Sequence, residues 1–202
     1  MKTVLASDNA GKLRELAALL APLGFEIVTQ SRFGITSAEE TGATFEDNAL
    51  LKARHAARLS GLPALADDSG IEVDALEGRP GVYSARYAGP GATDMANLEL
   101  LLRELTGVPH SERTARYRCV LAFVRTADDA SPLLAAGTWE GAILEAPRGE
   151  GGFGYDPVFL PQGTQLSAAQ MTAEAKNAVS HRAQALRRLV DLLGAVVPVV
   201  PG

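Results

Sequence analysis

A chain of 202 residues, 47% hydrophobic and 21% charged, can bury a full core as one domain or as two intimately joined lobes, which excludes whole-chain disorder. A formal charge of −5 gives no general attraction to nucleic acid or to an acidic membrane, so a phosphate-bearing ligand has to be held by locally placed cations; a small anionic substrate with a divalent metal fits better than DNA. The single cysteine, Cys119, rules out an internal disulfide and a cysteine-rich zinc site, and no apolar run approaches the roughly 20 residues of a bilayer span.

Met1-Lys2-Thr3 leads into a strand rather than a targeting segment, so the expected setting is cytoplasmic. Thr3-Val4-Leu5-Ala6 is apolar and β-rich. The turn Ser7-Asp8-Asn9-Ala10-Gly11 then hands over to a helix from Lys12 to Leu20, with apolar positions 13, 16, 17 and 20 at helical spacing. Phe25 to Gln30 reads as a second strand. Thr44, with Asp47 three residues later, opens a helix through about Leu59 that Gly61 and Pro63 terminate. A strand over 64–68 follows. Thr93 caps another helix, expected to bury Met95, Leu98, Leu102 and Leu105 before Gly107 and Pro109 end it. Arg116 to Arg125, Leu133 to Ala136 and Trp139 to Leu144 read as strands, the last two broken by Gly137 and Gly141, which suggests an antiparallel or mixed extension. A last helix starts near Ser180 and presents Leu186, Leu189, Val190 and Leu193; Pro198 and Pro201 stop it. No repeat, low-complexity tract or charged linker interrupts the chain, which predicts a single domain over 1–202 with 195–202 a loose tail.

Polar groups gather at a few places along this framework. Ala64-Leu65-Ala66-Asp67-Asp68-Ser69-Gly70 ends an apolar strand in two carboxylates, and alternation along a strand sends Asp67 and Asp68 to opposite sides, so only one faces a given ligand. A solvated Asp-Ser-Gly turn is the alternative. Ser7 to Lys12 sits where a strand feeds a helix N-terminus, so free N–H groups, the helix dipole and an ammonium can converge on phosphate; plain capping residues are the alternative. Glu39-Glu40-Thr41-Gly42 is a second carboxylate pair of the oxygen-rich kind that suits Mg²⁺, or else an exposed acidic loop. Lys52 shares a helix face with Asn48.

In Gly151-Gly152-Phe153-Gly154-Tyr155-Asp156-Pro157-Val158-Phe159, three glycines allow a close backbone approach and an aromatic ring there can stack on a nucleobase; a glycine-rich hairpin with Phe153 and Tyr155 in the core is the alternative. Lys176 and the Ser180-His181-Arg182 run place cations near a helix start, where the dipole disfavours them, so a functional reason gains weight. His55 and His110 have no such context and read as surface residues.

Taken together, these blocks resemble the inosine and xanthosine triphosphate pyrophosphatases, a family that clears aberrant purine nucleotides. The resemblance runs from Lys2 to about Leu193. It rests on Ser7-x-Asn9-x-x-Lys12, Glu39-Glu40-Thr41-Gly42-x-Thr44-Phe45, Asn48-Ala49-x-x-Lys52-Ala53, Ala66-Asp67-Asp68-Ser69-Gly70, Pro80 to Arg86, Gly151 to Pro157 and Ser180-His181-Arg182. Asp47, where the family helix often has Glu, and Gln170, near an expected acidic residue, depart from the pattern.

The resemblance implies an α/β fold with an elongated mixed sheet flanked by helices, two lobes and a central cleft, and a homodimer. It also implies Mg²⁺-dependent hydrolysis of a purine nucleoside triphosphate to the monophosphate and pyrophosphate. In that reading Asp68 is base and metal ligand, Glu40 the other metal carboxylate, and Asp67, Glu39 and Asn48 support them. Ser7, Asp8, Asn9, Ala10, Gly11, Lys12, Lys52 and Ser69 hold the triphosphate; Phe153, Gly154, Tyr155, Asp156, Lys176, His181 and Arg182 recognise the base. A related pyrimidine-directed pyrophosphatase, which usually has Arg where Lys12 stands, and a nucleotide-binding regulatory protein are the competing readings.

Overall fold

The computed structural model describes residues 1–8, 13, 16–17 and 20–196, with backbone only for 195 and 196. The expectations for Asn9, Ala10, Gly11 and Lys12, and for the tail beyond 196, lie outside the described residues. Six strands form one sheet: β1 (Lys2–Leu5), β2 (Glu26–Thr29), β3 (Ala64–Val73), β4 (Thr114–Val124), β5 (Leu133–Ile143) and β6 (Phe159–Pro161), in the order β2-β1-β3-β4-β5-β6. β1 runs parallel to β2 (Val4 opposite Val28) and to β3 (Leu5 opposite Leu65), while β6 lies antiparallel to β5, so the sheet is mixed. Among the described residues four helices with defined bounds flank it: α1 (Phe45–Ser60), α2 (Asp94–Glu104), α3 (Ala173–Val179) and α4 (His181–Val196). Among the described residues no helix is long and apolar enough to cross a membrane.

The chain divides into two compact units. The first comprises Met1–Asp68, Val120–Ala136 and Ala185–Gly202; the second comprises Ser69–Cys119 and Gly137–Gln184. In the first, α1 begins where Thr44 accepts a hydrogen bond from the Asp47 amide, with Glu46 and Asp47 suited to the positive end of its dipole, and Gly61 closes it in the left-handed region. Its buried residues Ala49, Ala53, Ala56 and Ala57 are small, which lets a helix lie close against its neighbours. Leu16 and Leu20 are buried on the expected helical face, and Phe25 meets Phe123 edge-on at 5.8 Å.

The second unit buries Ile71, Val73, Leu98, Leu101, Leu105, Tyr117, Trp139, Ile143, Tyr155, Val158 and Phe159 in one core. Thr93 caps α2 as expected, with Leu98 and Leu105 buried and Leu102 partly buried against the core, but Met95 is 58% exposed and Leu101 takes an inward place. α3, capped by Thr172, has seven residues, too few for an apolar periodicity to announce it.

Two strand expectations change. β3 does not end at the aspartates but continues through Ser69 and Gly70 to Val73. β5 is one strand of 11 residues rather than two pieces, running through both glycines. Gly141 is there for proximity: a Cβ on it would lie 2.4 Å from the Leu160 carbonyl oxygen of β6 and 2.7 Å from the Phe159 ring. A backbone oxygen cannot yield as a flexible side chain can. Gly141→Ala is therefore expected to cost about 1–3 kcal/mol, read as a melting temperature several degrees lower by circular dichroism; an unchanged melt would mean that β6 moves freely.

Candidate functional site

In the first unit, two carboxylates meet on one ammonium. Lys52, in the middle of α1, donates to Glu40 Oε1 and Asp68 Oδ1, both at 2.7 Å. Asp68 has a side chain only 8% exposed, while that of Glu40 is 26% exposed, so the pair is more than a surface contact. Asn48, one turn before Lys52 on α1, donates from Nδ2 to Asp68 Oδ2 at 3.3 Å and accepts from the Gly42 amide at 2.8 Å. The Gly42 contact pins the Glu39–Thr41 loop to the helix, which explains why Glu40 arrives beside Asp68.

Burial lifts the Asp68 carboxyl above its ordinary range. Lys52 and the Asn48 hydrogen bond oppose the shift, and the Glu40 charge reinforces it. Burial also works against the Lys52 ammonium, but Asp68 and Glu40 outweigh it and hold its pKa above the usual lysine value. The result is a protonated lysine shared by two acceptors.

A Mg²⁺ ion fits these donors. Among the described residues no group of three or more His, Cys, Asp or Glu side chains converges. One or two hard carboxylates are what Mg²⁺ takes when substrate phosphates supply its other ligands, and the Lys52 ammonium now on both would have to give way to it. Asp67 is buried at 3% exposure next to Asp68, whereas Glu39 is exposed. Asp8 accepts from Gln30 Nε2 and the Ser31 amide, both at 3.2 Å, at the end of β2, and hydrogen bonds from the Ser31 side chain and then Gln30 lower its pKa. Ser7 and Ser69 are half-buried.

A second cluster sits within the second unit. Asp156, 2% exposed, accepts from the Phe153 amide at 2.9 Å and from Tyr117 Oη at 3.3 Å, and pairs with Lys176. Gly152, at φ +74°, makes room for it: a Cβ there would stand 2.1 Å from Asp156 Oδ2. The tight turn throws Phe153 outward, 60% exposed, with Lys176 Nζ 5.0 Å and the Arg182 guanidinium 5.9 Å from the centre of its ring. Gly154 donates to Asp94 Oδ2 at 2.8 Å. Tyr155 goes the other way, into the core, and donates to the Ser84 carbonyl at 2.8 Å. The two aromatics of this segment thus divide between the two readings of the sequence, Phe153 outside and Tyr155 inside.

His181 lies buried and flat against Tyr117, ring centroids 4.7 Å apart and planes at 8°. Ser180 ends α3 and accepts from the Ala183 amide at the start of α4, which sets where His181 and Arg182 emerge. The structure thus brings Phe153, Asp156, Lys176, His181 and Arg182 together. It adds Tyr117 and Trp139, which in sequence are only two apolar residues in β-rich segments. His55 is half-buried with Nε2 3.0 Å from the Thr36 carbonyl, and His110 is exposed.

A mixed six-stranded sheet flanked by helices is also the architecture of Ham1 proteins of solved structure. The chain superposes on one from Coxiella burnetii with a TM-score of 0.92 at 46% identity, covering 96% of this chain and 99% of that one. On the Ham1 protein of Staphylococcus aureus the TM-score is 0.89 at 38% identity, covering 97% and 100%. A sequence model of the Ham1 family matches residues 3–192, and the chain belongs to that family. Similar proteins include the dITP/XTP pyrophosphatase of Methylococcus capsulatus, 62% identical over 96% of this chain and 97% of the relative. The dITP/XTP pyrophosphatase of Escherichia coli K12 is 54% identical over 95% and 98%.

Proposed function

We infer that this chain is a nucleoside triphosphate diphosphatase that hydrolyses noncanonical purine nucleotides such as dITP and XTP to the monophosphate and pyrophosphate, and so cleanses the nucleotide pool. The observation that carries the reading is Lys52 held at 2.7 Å from both Glu40 and Asp68, beside relatives whose names state that activity. Two carboxylates against one ammonium leave a net negative charge that repels a triphosphate unless a metal cation lies between.

In this reading Glu40 and Asp68 would hold Mg²⁺, which would supply neutralisation of charge on the phosphates. Asp68, its basicity raised by burial, takes the proton of the attacking water. The water oxygen bonds to the α-phosphorus, and the bond from that phosphorus to the bridging oxygen breaks. Pyrophosphate then leaves with the electron pair. Lys52, Ser69, Ser7 and residues Asn9 to Lys12 steady the phosphates and offset charge on the leaving group.

Phe153 offers its exposed face to the base, and Lys176, His181 and Arg182 supply donors to a purine 6-keto oxygen. The amino group of adenine puts a donor against those donors, so ATP is disfavoured by several kcal/mol, on the order of what unpaired buried donors cost. The reading extends to a cytoplasmic homodimer, which sedimentation of the purified chain checks.

Pyrophosphate release measured across ITP, dITP, XTP, GTP, ATP and dTTP tests the assignment. ITP, dITP and XTP are expected to lead, EDTA to stop turnover and added Mg²⁺ to restore it. Preference for dTTP would make the chain a pyrimidine-directed enzyme, and tight binding without release would make it a nucleotide sensor.

A further inference from the structure

Tyr117 is a buried residue for which the reaction just described has no direct use, yet it touches both halves of the base-recognition cluster. Its ring lies on His181, 4.7 Å away and within 8° of parallel. Its hydroxyl donates to Asp156 Oδ1 at 3.3 Å. Asp156 in turn accepts from the Phe153 amide and pairs with Lys176, whose ammonium stands 5.0 Å from the centre of the Phe153 ring. Tyr117 is itself clamped: Trp139 stacks at 6.4 Å and 22°, and Phe159 meets the ring edge-on at 4.7 Å.

A residue that only filled space would not need a hydroxyl here, because burying one costs free energy unless it is hydrogen-bonded. The bond it finds is to the carboxylate that fixes Phe153 and Lys176. Burial and the neighbouring Asp156 hold the phenol protonated far above neutral pH, so it remains a donor throughout the working range.

We propose that Tyr117 is a positioning residue for base selection, its ring setting the plane of His181 and its hydroxyl setting Asp156, so that both arms meet the purine in register. The inference rests on the assignment of Phe153, Lys176, His181 and Arg182 to the base. Rejecting a 6-amino purine demands donors in fixed directions, since a hydrogen bond weakens steeply as its angle closes. Loosening either arm lets the wrong base find a tolerable pose.

Tyr117→Phe keeps the ring and removes only the hydroxyl; Tyr117→Leu removes both. Each is measured for kcat and KM with ITP and with ATP, and for thermal melting. For Tyr117→Phe the ratio of kcat/KM for ITP over ATP is expected to fall about tenfold, mostly through KM for ITP, with little change in melting. Tyr117→Leu is expected to lower the ratio further; should it not fold, Tyr117→Phe decides alone. Equal losses for both substrates, leaving the ratio at the wild-type value, would overturn the proposal and leave Tyr117 as core. A wild-type chain that does not distinguish ITP from ATP would overturn the base-site reading and this inference with it.

Discussion

Asp68→Asn is expected to lower pyrophosphate release from XTP by about a thousandfold or more at saturating Mg²⁺, because an amide neither accepts the proton of the attacking water nor binds a cation as a carboxylate does. The chain should still fold. In the wild-type protein Asp68 Oδ1 accepts from Lys52 and Oδ2 faces Asn48 Nδ2 at 3.3 Å. An asparagine can keep the first contact but then sets its own NH₂ against that of Asn48, whose oxygen is already taken by the Gly42 amide. A donor facing a donor in a buried place costs about 1–2 kcal/mol, and relief of burying a second carboxylate beside Glu40 offsets part of it. Circular dichroism should therefore show a melt lowered by a few degrees at most. Activity within tenfold of wild type would remove Asp68 from the chemistry.

The largest loss of stability is expected from Asp156→Ala. Three donors converge on that carboxylate, from Phe153, Tyr117 and Lys176, and the lysine side chain is only 16% exposed. Removing the acceptor leaves a largely buried ammonium without its counter-charge, at about 3–5 kcal/mol, a large share of the 5–15 kcal/mol that typically holds a domain folded. Lys176→Met added to Asp156→Ala distinguishes the stranded charge from simple loss of contacts. If the charge dominates, the double variant recovers about 1–2 kcal/mol in urea denaturation; if it is no more stable than Asp156→Ala, packing around the turn is the main term. Turnover should fall in both variants, since the exposed Phe153 ring owes its place to the same turn.

Where local chemistry decides structure, the sequence was readable. Thr44 and Thr93 cap their helices because a side-chain oxygen meets an amide within three residues. The blocks resembling a known family also led to Glu40, Asp68, Lys52 and Asn48, which the fold does assemble. What was not readable depends on partners remote in the chain. β3 carries Asp67 and Asp68 through its middle, against the tendency of such residues to end strands, because Lys52 and Asn48 of α1 meet Asp68 there. β5 tolerates Gly141 because β6 leaves room for nothing larger. Tyr117 alternates like any core residue, and its contact with Asp156 spans 39 residues of chain. Asp8 accepts from Gln30 and Ser31 at the end of β2, a pairing over more than 20 residues that its place in a turn does not announce.

The shared lysine also fixes the sign of the electrostatic field at the first cluster. One ammonium against two carboxylates leaves the group with a formal charge of −1. A bare polyphosphate arriving there meets net repulsion, whereas one that comes already wrapped around a divalent ion carries two fewer negative charges and is repelled less. On the proposed function, selection of substrate would begin before any base is read, with a preference for the metal complex over the free anion that weakens as added salt screens the field.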